Sequence, residues 1–154
     1  MIRGNTEGIK EYILKELDSL YEITVEKNKL IEPEMLMLIA QISNKINREI
    51  NIAIDRRGNV TEISIGDSSS VQLPIMDIQE RRLSGVRVIH THPSGSSNLS
   101  NIDISALIKL KLDCIAAIGI DEDRVTGVSI GFCGVENNEL VHEVVGPLSV
   151  EEAV

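Results

Sequence analysis

Apolar positions recur at helical spacing from the start of the chain. Ile9, Tyr12, Ile13, Leu17, Leu20 and Tyr21 predict an amphipathic helix across residues 5–22, which Asn5 or Thr6 can cap. A short extended stretch, residues 23–25, leads to a second predicted helix from about Glu32 to Arg48. Pro33 opens it, Met35, Leu36, Leu38, Ile39, Ile42 and Ile46 form its apolar face, and both Met35 and Met37 are expected in the core. The pattern then turns β-rich. Residues 50–54 and 60–65 flank Asp55-Arg-Arg-Gly58-Asn59, a glycine-containing connection that reads as a hairpin.

Residues 66–70 read as a polar turn, 71–73 as a short extended stretch stopped by Pro74, and 75–85 as irregular and charged. Regular structure resumes at Val86 with a strand through Thr91, a turn-rich loop and a helix from 100 to about 111. A strand over Cys114–Ile120, an acidic turn at 121–123 and a strand over Val125–Cys133 follow. After the break at Gly146-Pro147, Ser149 with two following acids suits the onset of another helix. Helices and strands interleave, which predicts an α/β fold, a mixed β-sheet flanked by helices, over a bundle or a β-sandwich.

At 154 residues the chain fits one globular domain. Residues 1–48 form an N-terminal helical segment packing on the sheet, 49–145 the α/β core, and 146–154 the start of a linker. One Phe, two Tyr and no Trp leave an aliphatic core. No apolar run is long enough to cross a bilayer, and no basic-then-apolar leader opens the chain, so the expectation is a cytoplasmic protein without a membrane partner. Cys114 and Cys133 lie singly in apolar stretches and read as reduced core thiols. A net charge of −9 argues against strong nucleic-acid binding by this segment alone. The basic pairs Arg56-Arg57 and Arg81-Arg82 read as a solvated turn and a surface salt-bridge cluster.

Chemistry concentrates between residues 90 and 103. On a strand, His90 and His92 leave the same face, and Ser100-x-x-Asp103 places a carboxylate in the first turn of the next helix. Two imidazoles and a carboxylate around one point, with a fourth position left to water, form a plausible catalytic zinc set. Each part also has a plainer use: a polar strand face, a capping box, and a turn at Pro93 and Gly95. Hydrolysis at such a zinc needs a further carboxylate to take the proton of the water. Glu49, at the mouth of the strand 50–54, is the first choice, and Glu62, inside the next strand, the second. Ser100 could donate a hydrogen bond to a developing oxyanion.

The order His90-x-His92, seven intervening residues, then Ser100-x-x-Asp103, with an upstream Glu, resembles the JAMM metallopeptidase motif of deubiquitinating isopeptidases, their prokaryotic relatives and RadC-type proteins. That resemblance implies a JAMM/deaminase-like α-β-α sandwich. It makes His90, His92 and Asp103 zinc ligands, Glu49 the general acid/base and Ser100 the oxyanion helper. A zinc deaminase fits less well, since neither His-x-Glu nor Pro-Cys-x-x-Cys occurs.

A longer resemblance is carried by Ile54-Asp-Arg-Arg-Gly-Asn-Val60, Ser64-Ile-Gly-Asp67, Val71-Gln-Leu-Pro74, Arg82-Leu-Ser-Gly-Val-Arg87, His90-Thr-His92, Leu99-Ser-x-x-Asp103 and Leu110-Lys-Leu-Asp113. In this order they are similar to the N-terminus of HflX-type GTPases, nearly continuously from about residue 48 to 120. Arg3-Gly-Asn-Thr-Glu-Gly8 resembles the extended N-terminal region of clostridial-type members. The family binds the large ribosomal subunit and hydrolyses GTP. No Gly-x4-Gly-Lys-Ser/Thr phosphate loop occurs here, so the resemblance puts GTP and Mg2+ in a GTPase domain beyond residue 154. This segment would be a regulatory or ribosome-interaction domain, with an active JAMM-type zinc metallopeptidase as the alternative.

Overall fold

Pro33 at the first helical position and Asn47 in the left-handed conformation (φ 53°) bracket helix α2, Pro33–Ile46. Its inward stripe of Met35, Leu36, Ile39, Ala40 and Ile42 is buried, whereas Met37, expected in the core, is 56% exposed because it falls off that stripe. Helix α1 is shorter than the apolar spacing suggests. It spans Glu11–Asp18 and tightens into a 3-10 turn at Ser19–Glu22. Residues 5–10 stay outside it because Gly8 adopts φ +76°. Asn5 accepts from the Glu7 amide at 3.1 Å in a local turn and does not cap the helix. The first element is instead a strand, β1 (Ile2–Gly4), absent from the periodicity reading.

The computed structural model describes residues 1–66, 85–122, 124–136 and 139–149. The segments expected at 67–84, including Arg81-Arg82, and the helix onset beyond Ser149 lie outside the described residues, as does the Cys133 side chain. Among the described residues, β2 (Ile50–Ile54), β3 (Val60–Ile65), β4 (Arg87–His92), β5 (Cys114–Asp121), β6 (Arg124–Glu136) and β7 (Glu139–Leu148) join β1 in one seven-stranded mixed sheet, ordered β1-β3-β2-β4-β5-β6-β7. Strands β1/β3 and β4/β5 run parallel and the other neighbours antiparallel. Strand β7 has no counterpart among the elements the sequence pattern predicts. It runs to Leu148, past residue 146 where the linker was expected to begin, because Gly146 (φ +128°) takes up a register shift against Val128 and the strand does not stop there.

Helices cover both faces, so the molecule is an α-β-α sandwich. Helices α1 and α2 pack on Ile50, Ile52, Ile63, Ile65, Ile89, Ala116 and Ile118. Helix α3, Asn101–Lys109, covers Ala53, Val88 and Ile115 on the other side. At one end of the sheet Arg56 clasps Asp113 through two hydrogen bonds (Nε–Oδ2 2.9 Å, Nη2–Oδ1 2.8 Å), fastening the β2–β3 hairpin to the start of β5. The half-buried Cys114 thiol is free, and burial pushes its pKa up to about 11. No helix among the described residues is long and apolar enough to cross a membrane.

Candidate metal centre

Parallel pairing of β4 with β5 requires a crossover, and α3 supplies it. The carboxyl end of β4 and the amino end of α3 therefore meet. Strand alternation puts His90 and His92 on the α3 face of β4, with ring centroids 4.6 Å apart and planes at 67°. Ser100 caps α3 in a full capping box. Its Oγ accepts from the Asp103 amide at 3.1 Å, and Asp103 Oδ2 accepts from the Ser100 amide at 2.8 Å. The capping box and the metal-ligand reading are thus compatible uses of the same two residues: the box fixes the Asp103 rotamer beside the histidines.

One ligand atom each from His90, His92 and Asp103 lies within 4.8 Å of the others. His90 Nε2 stands 3.3 Å from Asp103 Oδ2, and beyond that contact the buried ring nitrogens of His90 have no hydrogen-bond partner among the described residues. Ligands about 2.0–2.2 Å from a tetrahedral ion stand about 3.3–3.6 Å apart, so this spacing suits two ligands of one ion. His92 Nδ1 lies 2.8 Å from the Ser96 carbonyl, which fixes its proton there and turns Nε2 to the cluster. Two imidazole nitrogens and a buried carboxylate fit a zinc ion, and imidazole also suits iron and nickel.

The electrostatics favour the ligating forms of His92 and Asp103. Burial lowers the His92 pKa, as does the neighbouring His90, against the opposing pull of Ser96 and Asp103. Burial opposes the charge on Asp103, but the adjacent His90 imidazole and the Ser100 hydrogen bonds outweigh it and hold the carboxyl below its usual range.

Glu49 immediately precedes β2 on the same face, and its Oε1 lies 3.9 Å from His92 Nε2. Burial lifts its pKa to about 6; His90 works against the rise and Asp103 adds to it. Glu62 is placed elsewhere. It sits within β3 opposite Ala53 and meets Arg3 at 3.0 Å, on the far side of β2 from the histidines. The two carboxylates that the sequence left open are thereby separated. Glu49, His92, Ser100 and Asp103 share a cleft of about 240 Å³, together with Ser94, Ser96 and Asn98 from the loop after β4.

That loop is held from below. Gly95 (φ +88°) closes a turn on the His92 carbonyl at 3.3 Å, and its own carbonyl accepts from Thr126 Oγ1 at 2.6 Å. Gly119 has no Cβ that would strike Thr126 Oγ1 at 2.5 Å and Gly95 O at 2.7 Å. These contacts, the Ser96 acceptor and the loop walls escaped the sequence reading, since backbone acceptors leave no residue signature.

Fold and cluster together define an α/β protein with a cluster of two histidines and one aspartate where a strand meets a helix. A scan against protein-family models finds no match, and neither a curated protein nor a solved structure matches the chain.

Proposed function

We propose that this chain binds zinc through His90, His92 and Asp103, and that the centre is a JAMM-type hydrolytic site acting on an amide or isopeptide carbonyl. The observation that carries the reading is the 3.3 Å spacing of His90 Nε2 and Asp103 Oδ2 in a buried cluster that Glu49 borders. When bound, the metal would supply a Lewis acid that polarises the carbonyl and acidifies a water. Glu49, with a pKa of about 6, accepts a proton near neutral pH and can return it to the leaving amine. Ser100 uses its oxygen lone pair in the helix cap, so its hydroxyl proton is free to meet a carbonyl oxygen gaining negative charge. The serine and asparagine side chains of the cleft offer hydrogen bonds to a peptide backbone.

Elemental analysis of the purified chain beside a His90→Ala, His92→Ala double variant tests the metal. Near-stoichiometric zinc in the first and none in the second is the expected result; absence of zinc from both, even after zinc is added, defeats the reading. The catalytic half is tested by Glu49→Gln, which should keep zinc and lose cleavage of isopeptide-linked substrates.

The setting we propose is the N-terminal regulatory or ribosome-interaction domain of a cytoplasmic HflX-type GTP-binding protein, supported by the nearly continuous resemblance of residues 48–120. Its partners would be its own GTPase domain and, through the full-length protein, the large ribosomal subunit, with GTP and Mg2+ bound outside this segment. Sequencing the gene past residue 154 checks this: a phosphate-loop motif is expected downstream, and its absence overturns the setting while leaving the metal reading intact.

A further inference from the structure

Four buried polar atoms beside the cluster have no hydrogen-bond partner among the described residues: both carboxamide atoms of Asn51, Ser64 Oγ and His90 Nδ1, while His90 Nε2 faces Asp103 Oδ2. The three residues are at most 1% exposed. They stand in one row. Asn51 pairs in register with Ser64 of β3 on one side and with His90 of β4 on the other, so their side chains leave the sheet together on the α3 face. Cβ atoms of directly opposed residues stand about 4.5–5.5 Å apart, within reach of a carboxamide and an imidazole. Buried polar groups cost free energy unless hydrogen-bonded, and four orphaned atoms in adjacent positions call for a common solution.

His92 shows what that solution requires. Its Nδ1 is taken by the Ser96 carbonyl, leaving Nε2 for the cluster. His90 also faces the cluster with Nε2, so its Nδ1 needs an acceptor on the inner side, as ligating histidines generally have. Asn51 supplies the one carboxamide in the row, with an oxygen that accepts and a nitrogen that donates. Its terminal torsion is soft, so a modest rotation joins all three residues.

We propose that Asn51 is the positioning residue of His90. Its carboxamide oxygen accepts the His90 Nδ1 proton, which leaves Nε2 free for a metal, and its amide nitrogen donates to Ser64 Oγ. The role in holding an ion rests on the zinc reading above, whereas the hydrogen bond itself does not.

Long-range 1H–15N correlations of the histidine rings in the metal-free full chain report which nitrogen carries the proton. The expected result is an Nδ1-protonated His90 in the wild type, lost in Asn51→Leu and kept in Asn51→Asp, which preserves an acceptor. Zinc affinity, read by competition with a chelator, should fall roughly 10- to 100-fold in Asn51→Leu and recover in Asn51→Asp. A wild-type His90 with no proton on Nδ1 overturns the proposal without any variant. So does an Asn51→Leu chain with the wild-type tautomer and zinc affinity. If no form binds zinc, the metal reading fails and the tautomer alone decides the role of Asn51.

Discussion

The hydroxyls of Ser43 and Thr91 meet at 2.7 Å on the α2 side of the sheet, and each also holds one of the peptide groups flanking Glu49. Ser43 Oγ donates to the Arg48 carbonyl at 2.7 Å, and Thr91 Oγ1 accepts from the Ile50 amide at 2.9 Å. Both side chains are fully buried. Thr91 lies between the two histidines, so one pair of hydroxyls locks the segment bearing Glu49 to the strand bearing His90 and His92.

Thr91→Val keeps the shape and strands the Ile50 amide, which should cost about 1–3 kcal/mol in urea unfolding. Combined with Ser43→Ala in a double-mutant cycle, it should show a coupling of at least about 0.5 kcal/mol. Strict additivity would mean that the two hydroxyls act separately.

Capping and ligation can be separated at the start of α3. Asp103→Asn retains an oxygen that accepts from the Ser100 amide, so helix stability should change little while zinc binding is lost. Ser100→Ala should do the reverse, costing about 1 kcal/mol of stability and leaving zinc affinity near wild type. Equilibrium unfolding and metal titration of both variants check this; a Ser100→Ala chain that cannot bind zinc would contradict it.

Glu49 gives a pH dependence with a definite sign. Its folded pKa of about 6 lies above the ordinary value of 4.5, so its protonated form favours the native state. That contribution is complete below about pH 4.5 and fades as pH rises through 6. The shift corresponds to about 2 kcal/mol at most, reduced toward 1 by solvent access. Metal-stripped Glu49→Gln should therefore be more stable than the wild type at pH 7.5, with the advantage gone at pH 4. Parallel denaturation curves for the two chains at both pH values test it, and an equal gap at pH 4 and 7.5 would refute it.

Gly119→Ala touches no ligand but pushes a methyl group into Thr126, Gly95 and the Ser97 amide, 2.9 Å away. The loop that orients His92 through Ser96 must then shift, and zinc should bind roughly tenfold more weakly. Unchanged affinity would show that the loop can move without disturbing His92.

How much the sequence disclosed depended on whether a signal was local. Strands β2 and β3 carry a full apolar period and a glycine turn, and their bounds emerge as read. His90, His92, Asp103, Ser100 and Glu49 converge because strand alternation and a capping box place them with little help from distant residues. By contrast, β1 is three residues long and is defined by pairing with β3, while β7 is defined by pairing with β6; neither has a strong period of its own. The separation of Glu49 from Glu62 rests on strand order, which periodicity does not encode. Asn51 did leave a trace, as a lone carboxamide among isoleucines in a strand where such a residue is disfavoured, but its meaning needs the register with His90.

His90, His92 and Asp103, the proposed ligands, lie on a single strand, loop and helix start, residues 90–103, while Glu49 arrives from another stretch of chain across the β2–β4 pairing. Holding an ion and using it are therefore separable inheritances. On the proposed zinc reading, a substitution at Glu49 would silence the chemistry and spare the ion, so a descendant of this fold would keep a metal as ballast long after it had stopped cutting anything.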